Sequence, residues 1–278
     1  MKNRLLEEKL KNNSLLIACH RGFYGANIIQ NTIESSKLAL KAGVDIVEID
    51  VCRSSDGKYY IFHDGNEKQL FNIDKNFSEL SSHEIDNLEF YNTIGTLSGK
   101  KINTLEEYLE WIPDNALVNI DRSWNYWDDE AFIDIIDNCG KTENLLFKSS
   151  ANILYLEKLK NFKRPLYYFP IIYSEDDFER VLQFDYYNLV GAEMIITGKD
   201  SDLYNLSSNS KLFDFQLRMI NSETLGKGFN LFLNLSDDEA ILGNEEAVWG
   251  KMLELGANCI QTDWPNFIDE FRNLKYKK

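Results

Sequence analysis

Two of the three histidines in this 278-residue chain stand where an apolar run stops. Leu15-Leu16-Ile17-Ala18-Cys19 leads into His20-Arg21-Gly22, and Ile61-Phe62 leads into His63-Asp64. A histidine takes or gives a proton near neutral pH, so two of them flanking a bound phosphate make a suitable base and acid for cleaving a phosphodiester. Taken singly, each also reads as a structural histidine. Between them lies Glu48-Ile49-Asp50. Positions i and i+2 of a strand share a side, so both carboxylates face the same space, where two uncompensated charges are costly. A hard divalent cation, Mg²⁺ or Ca²⁺, would relieve them, with Asp121 as third oxygen ligand; the alternative is an ion pair with Arg21 or Lys148. Arg21 can fork onto phosphate oxygens or pair with Glu48, Asp50 or Asp64. Lys148, after Leu145-Leu146-Phe147, either points into the same mouth or is a solvated strand end. Trp124, Tyr126 and Trp127 either floor a substrate pocket or pack as core under the loops. His83, in Ser81-Ser82-His83-Glu84, reads as an exposed helix start with no assigned role.

Residues so far apart in sequence can meet only if the fold gathers strand ends. Short β-branched or aromatic runs recur at Leu15–Cys19, Asp45–Val51, Leu117–Asp121, Leu145–Lys148, Leu166–Ile172, Ala192–Thr197, Leu231–Leu235 and Cys259–Thr262. Helix-like stretches separate them, among them Thr32–Ala42, Asp129–Asn138, Asn152–Leu159, Asp176–Gln183 and Asp238–Leu255. Strands alternating with helices imply a parallel sheet. Eight such strands imply an α/β fold, a closed (β/α)₈ TIM barrel, whose strand carboxyl ends converge on one face where active sites form. Gly22 and Gly25 do not make the glycine-rich first turn of a dinucleotide fold. After the second strand, Asp56-Gly57 signals a hairpin that returns His63 to that strand's end. The stretch from about 52 to 101 exceeds an ordinary strand-to-helix connection and reads as an insertion on the barrel rim. Few prolines and no low-complexity tract leave one domain over residues 1–278 as the expectation.

A net charge of −15 disfavours nucleic acid and anionic bilayers as partners. No apolar run is long enough to span a bilayer, and the first residues lack the pattern of an export signal. Cys19, Cys52, Cys139 and Cys259 show no metal-binding spacing and read as reduced thiols, so a cytoplasmic location is expected.

The order His20-Arg21-Gly22, Asn31-Thr32, Gly43-Val44-Asp45, Glu48-Ile49-Asp50-Val51, Asp56-Gly57 and His63-Asp64 resembles the glycerophosphodiester phosphodiesterase family. Thr104-Leu105-Glu106-Glu107, Gly256-Ala257-Asn258 and Ile260-Gln261-Thr262-Asp263-Trp264-Pro265 extend the resemblance to the C-terminal part. It implies a barrel enzyme that hydrolyses phosphodiesters with a divalent cation. By the same resemblance, Glu48, Asp50 and a third-strand carboxylate hold the metal, Arg21 contacts phosphate, and His20 and His63 are the two catalytic histidines. His63 is then expected to protonate the leaving alcohol. Three departures stand out. Gln30 replaces a glutamate, Asp121 and Ser123 replace a glutamate and a lysine, and Leu233-Asn234 stands where a tryptophan-threonine pair is expected on the seventh strand. Lys148 can supply the missing lysine's charge. The expected function is metal-dependent hydrolysis of a small glycerophosphodiester or related head-group diester. A lyase ending at a cyclic phosphate, and a catalytically weak phosphodiester-binding or sensor protein, are the alternatives.

Overall fold

A computed structural model of the chain describes residues 2–204, 214–226, 229 and 231–276. The strands are β1 Leu16–Cys19, β2 Ile46–Arg53, β3 Tyr59–Ile61, β4 Leu117–Asp121, β5 Leu145–Phe147, β6 Tyr167–Tyr168, β7 Ile171–Ile172, β8 Asn188–Leu189, β9 Gly191–Met194, β10 Leu217–Asn221 and β11 Cys259–Thr262. Among these strands only β3 is antiparallel, folded back on β2; every other strand pairing is parallel. The order runs β7-β9-β10-β11-β1-β2-β4-β5-β6-β8. β6 and β7 are two ends of one stretch, which Pro170 interrupts because it has no N–H to donate. That stretch hydrogen-bonds to both neighbours: Phe169 N–H donates to Phe147 O and Ile171 N–H to Ser149 O, while Pro170 O accepts from Glu193 N–H. The circuit therefore closes into a (β/α)₈ barrel.

Alternation along the strands divides the barrel interior into an apolar floor and a polar top. Leu16, Ile46, Leu117, Leu146, Leu217 and Cys259 are among the floor residues, and Leu6 of the N-terminal helix Arg4–Asn12 plugs them from below. Burying such a side chain contributes roughly 1.5–3 kcal/mol, so the floor is the rigid part. Two residues further along the same strands stand Glu48, Asn119, Lys148 and Gln261, all nearly inaccessible to solvent. The helices pack outside on a larger apolar cluster. Thr32 caps the helix Ile33–Lys41, with a reciprocal hydrogen bond to Ser35, and so fixes the loop that follows β1.

The hairpin forms where the Asp56-Gly57 signal places it. Val51, Cys52 and Arg53 pair with Ile61, Tyr60 and Tyr59, and Gly57 turns at φ +95°. The segment after it has a hydrophobic cluster of its own, including Tyr60, Phe62, Phe71, Phe77 and Phe90, with Phe62 stacked on Phe71 and Phe77.

The expected seventh strand lies elsewhere. Leu217–Asn221, absent from the sequence reading, pairs with both β9 and β11 and fills that barrel position. Leu231–Leu235 forms only an isolated bridge, Phe232 to Ile196. Leu233 and Asn234 adopt left-handed backbone angles, φ +51° and +58°, which no strand can use. Arg218 broke the apolar run that would have marked β10; it faces outward and donates to the carbonyls of Gly256 and Phe215. The helix expected at Asp238–Leu255 spans Asp237 to Glu254 and bends at Gly243, φ +108°.

Candidate active site

The carboxyl ends of the strands surround a cavity of about 270 Å³. Its lining includes His20, Arg21, Glu48, Asp50, His63, Asp121 and Lys148, every site residue singled out from the sequence. Glu193, Asn221, Glu223 and Gln261 line it as well. A larger cleft of about 640 Å³ between the helix following Asp237 and the C-terminal helix Pro265–Tyr276 has none of this chemistry.

Glu48 and Asp50 project from one face of β2, and Asp121 lies opposite Asp50 in the register with β4. Ligand oxygens of the three approach within 4.8 Å of one another. The protein holds each carboxylate through a named donor. Glu48 accepts from Arg21 N–H at 2.7 Å, and Asp50 from the Asn31 amide at 2.9 Å. Arg122 N–H reaches Asp121 at 2.7 Å. Burial, reinforced by Asp50, pushes the Glu48 carboxyl up to about 8. Burial pushes Asp50 up, but the Arg21 guanidinium, 3.2 Å away, together with His63 and the Asn31 hydrogen bond outweighs it and holds Asp50 below the usual range. Three carboxylates, the one on Glu48 raised by burial, make the donor set a hard divalent cation prefers.

The histidines stand around this group with their Nδ1 atoms engaged. His20 Nδ1 lies 2.8 Å from an Asp263 oxygen and 3.1 Å from Glu223. His63 Nδ1 lies 2.6 Å from Asp64 O. Carboxylates and carbonyls only accept, so Nδ1 carries the hydrogen in both rings and Nε2 is left for proton exchange. Burial would lower the His20 pKa, but Glu223 and the Asp263 hydrogen bond outweigh it and raise it to about 10. Burial lowers His63 and prevails over the pull of Asp50.

Arg21 is turned by its left-handed backbone, φ +54°, and its guanidinium donates to Gln30 at 2.9 Å. The amide at position 30 thus still holds the arginine, although it lacks a glutamate's charge. Lys148 is fully buried, with Nζ 2.7 Å from Asp121 and 2.8 Å from Glu193. It points into the mouth and is no solvated strand end. Burial alone would lower it, but the two acids raise it well above the ordinary lysine value. Ser123 is buried and accepts from Trp127 Nε1 at 3.0 Å. Trp127 is core, Tyr126 packs on Tyr59 and Phe132, and Trp124 alone of the three lines the cavity. His83 is exposed in the first turn of the helix Ser82–Asn87.

Sequence reasoning gave no role to Asn31, Glu193, Glu223 or Asp263. Asn31 grips Asp50 from both ends, its amide donating to the carboxylate and its oxygen accepting from the backbone N–H at 3.0 Å. Asp263 directly follows the last strand, a position that could have flagged it. Glu223 follows β10 and was hidden with it.

Fold and site together define a barrel with a carboxylate triad and two histidines at the carboxyl-terminal mouth. Comparison with known proteins gives the family: residues 20–192 match the profile of the glycerophosphoryl diester phosphodiesterase family, and the chain belongs to it. A glycerophosphodiester phosphodiesterase of Caldanaerobacter subterraneus is 33% identical over 108 residues, 38% of this chain and 44% of that protein. One of Arabidopsis thaliana is 32% identical over 105 residues, 36% of this chain and 31% of its own length. These matches span less than half of either relative. A crystal structure of a glycerophosphoryl diester phosphodiesterase from Parabacteroides distasonis superposes with a TM-score of 0.71 at 16% identity, covering 99% of this chain and 92% of that one. One from Thermotoga maritima gives 0.61 at 23% identity, covering 92% and 98%.

Proposed function

We propose that the protein hydrolyses small glycerophosphodiesters to an alcohol and a phosphomonoester, with a divalent cation, Mg²⁺ or Ca²⁺, as cofactor. One observation carries the reading: His20, His63, Arg21 and the triad Glu48, Asp50 and Asp121 line a single cavity. A structural relative from Oleispira antarctica, described as a phosphodiesterase in complex with the product sn-glycerol-3-phosphate, supports this substrate class. The triad would hold the cation, which when bound supplies positive charge against the phosphoryl oxygens. Arg21 offers its guanidinium to the same oxygens, and the Gln30 contact fixes its direction. Lys148 adds a charge that Asp121 and Glu193 hold in place.

Proton transfer falls to the two Nε2 atoms. The carboxylates behind His20 favour its protonated form, which suits a general acid for the leaving alcohol. Burial favours neutral His63, which suits a base for the attacking water. This assignment reverses the one expected from the sequence. The four cysteines are free thiols, three of them buried, which supports a reducing, cytoplasmic setting. Among the described residues no helix is long and apolar enough to cross a membrane.

The test is phosphorus NMR of glycerophosphoethanolamine turnover, with and without chelator. The expected result is a phosphomonoester that forms only with the cation. A cyclic phosphate as final product would make the protein a lyase, and binding without turnover would make it a sensor.

A further inference from the structure

Asp237 is completely buried, belongs to neither the cation triad nor the cavity lining, and has four donors on its carboxylate. Oδ1 accepts from Ser222 Oγ at 2.6 Å and from Trp249 Nε1 at 3.0 Å. Oδ2 accepts from Thr262 Oγ1 and from the backbone N–H of Asp263, both at 2.8 Å. Its own N–H donates to Ser222 O at 2.7 Å. One side chain therefore ties the residue just past β10 to the end of β11.

The residues it grips adjoin the two acids that touch His20. Glu223 follows Ser222, and Asp263 is held by its own N–H. The distal oxygen of Asp263 accepts from Thr224 N–H at 3.3 Å, and Glu223 is steadied by Gln261 Nε2 at 3.3 Å. Both acids meet the same ring atom, Nδ1, at 2.8 and 3.1 Å. An imidazole held by one carboxylate can still pivot about that bond. Two carboxylates on separate strand ends restrict the pivot only if the ends keep their spacing, and the Asp237 carboxylate bridges those ends beside the direct Ser222 N–H to Gln261 O bond at 2.9 Å.

We propose that Asp237 is a positioning residue for His20: by clamping the ends of β10 and β11 it fixes Asp263 and Glu223 on Nδ1 and aims Nε2 into the cavity. This rests on the reading of His20 as a proton-transfer group. The clamp needs acceptors on both oxygens. Asp237→Asn keeps the shape but turns an NH₂ toward one pair of donors; the hydroxyl of that pair can turn to accept, but its N–H, Trp249 Nε1 or Asp263 N, loses its acceptor.

The experiment combines steady-state kinetics on glycerophosphoethanolamine with nitrogen NMR of the histidine rings in the cation-loaded enzyme. Asp237→Asn is expected to lower kcat by about 10²-fold, the scale of a misplacement near 1 Å. KM should stay within about twofold, because substrate contacts are intact. The His20 signals should change from those of one fixed, doubly protonated ring to exchange-broadened resonances. Ser222→Ala removes a single clamp bond, keeps the fold if Asp237→Asn does not, and should give smaller changes in the same direction. Wild-type kcat and His20 signals in a folded variant would overturn the proposal. Full activity of His20→Ala would instead overturn the reading of the site on which the proposal rests.

Discussion

Replacing Lys148 by methionine should destabilise the cation-free protein by about 3–5 kcal/mol, the cost of removing one partner from a buried ion pair. Lys148 Nζ lies between Asp121 and Glu193 with 2% of its side chain exposed, and methionine fills the same volume without the charge. Both acids then lose their counterion. Each can escape by binding a proton, which at pH 7 costs about 1.4 kcal/mol for every unit above a normal carboxyl pKa near 4, or about 4 kcal/mol. Asp121, with 16% of its side chain exposed, keeps some hydration and needs less relief than Glu193, at 4%. The sum therefore falls near the cost of one protonation and well short of two. Glu193→Gln in the same chain should recover at least about 2 kcal/mol, because the more buried of the two orphaned charges is gone. Urea unfolding in chelator, followed by circular dichroism, measures all three proteins. A loss below about 1 kcal/mol for the single variant, or no recovery in the double, would refute the reasoning, since it would mean that water already screens the pair.

His20→Ala should regain most of its lost rate on a diester with a para-nitrophenol leaving group, which needs no proton, whereas His63→Ala should not; equal rescue of both would contradict the acid and base roles. Cation affinity measured by calorimetry should rise as the pH climbs through about 8, where Glu48 gives up its proton, and Glu48→Gln should remove that slope. The sign for stability is opposite. The raised Glu48 pKa stabilises the cation-free fold below 4.5, and that contribution is lost as the pH rises through about 8, so Glu48→Gln should flatten the decline seen by thermal melting. Asp56, lowered to about 2 by hydrogen bonds from Ser82 and Ser54, works the other way: its contribution is present above 3.8 and lost as the pH falls through about 2. Asp56→Asn should thus melt below wild type at neutral pH and converge with it in acid.

How much could be read from the sequence follows from what each signal encodes. β1, β2, β4 and β11 are apolar runs ending in polar residues, a pattern visible in one dimension, and His20, Glu48, Asp50 and Asp121 came with them. The hairpin was legible because Asp-Gly has a defined turn chemistry, and it carried His63 to its place. β10 was not legible, because Arg218 satisfies its donors on outward carbonyls and looks like an interruption. Leu231–Leu235 has a strand's composition, and of its two left-handed residues only Asn234 is of a type that favours that region. The loss of β10 concealed Glu223 and Ser222, and with them the two-sided support of His20. The sequence leaves both readings of Lys148 standing, because a strand end does not reveal whether acids wait across the barrel.

The central claim is that His20 and His63 perform proton transfer beside a cation held by Glu48, Asp50 and Asp121. Turnover of glycerophosphoethanolamine by wild type, His20→Ala and His63→Ala, with cation binding measured by calorimetry on the same samples, tests it most directly. The account predicts a fall in kcat of about 10²–10⁴-fold for each variant with cation affinity retained, and no activity in chelator for any of the three. Activity that survives both substitutions and ignores the chelator would contradict it.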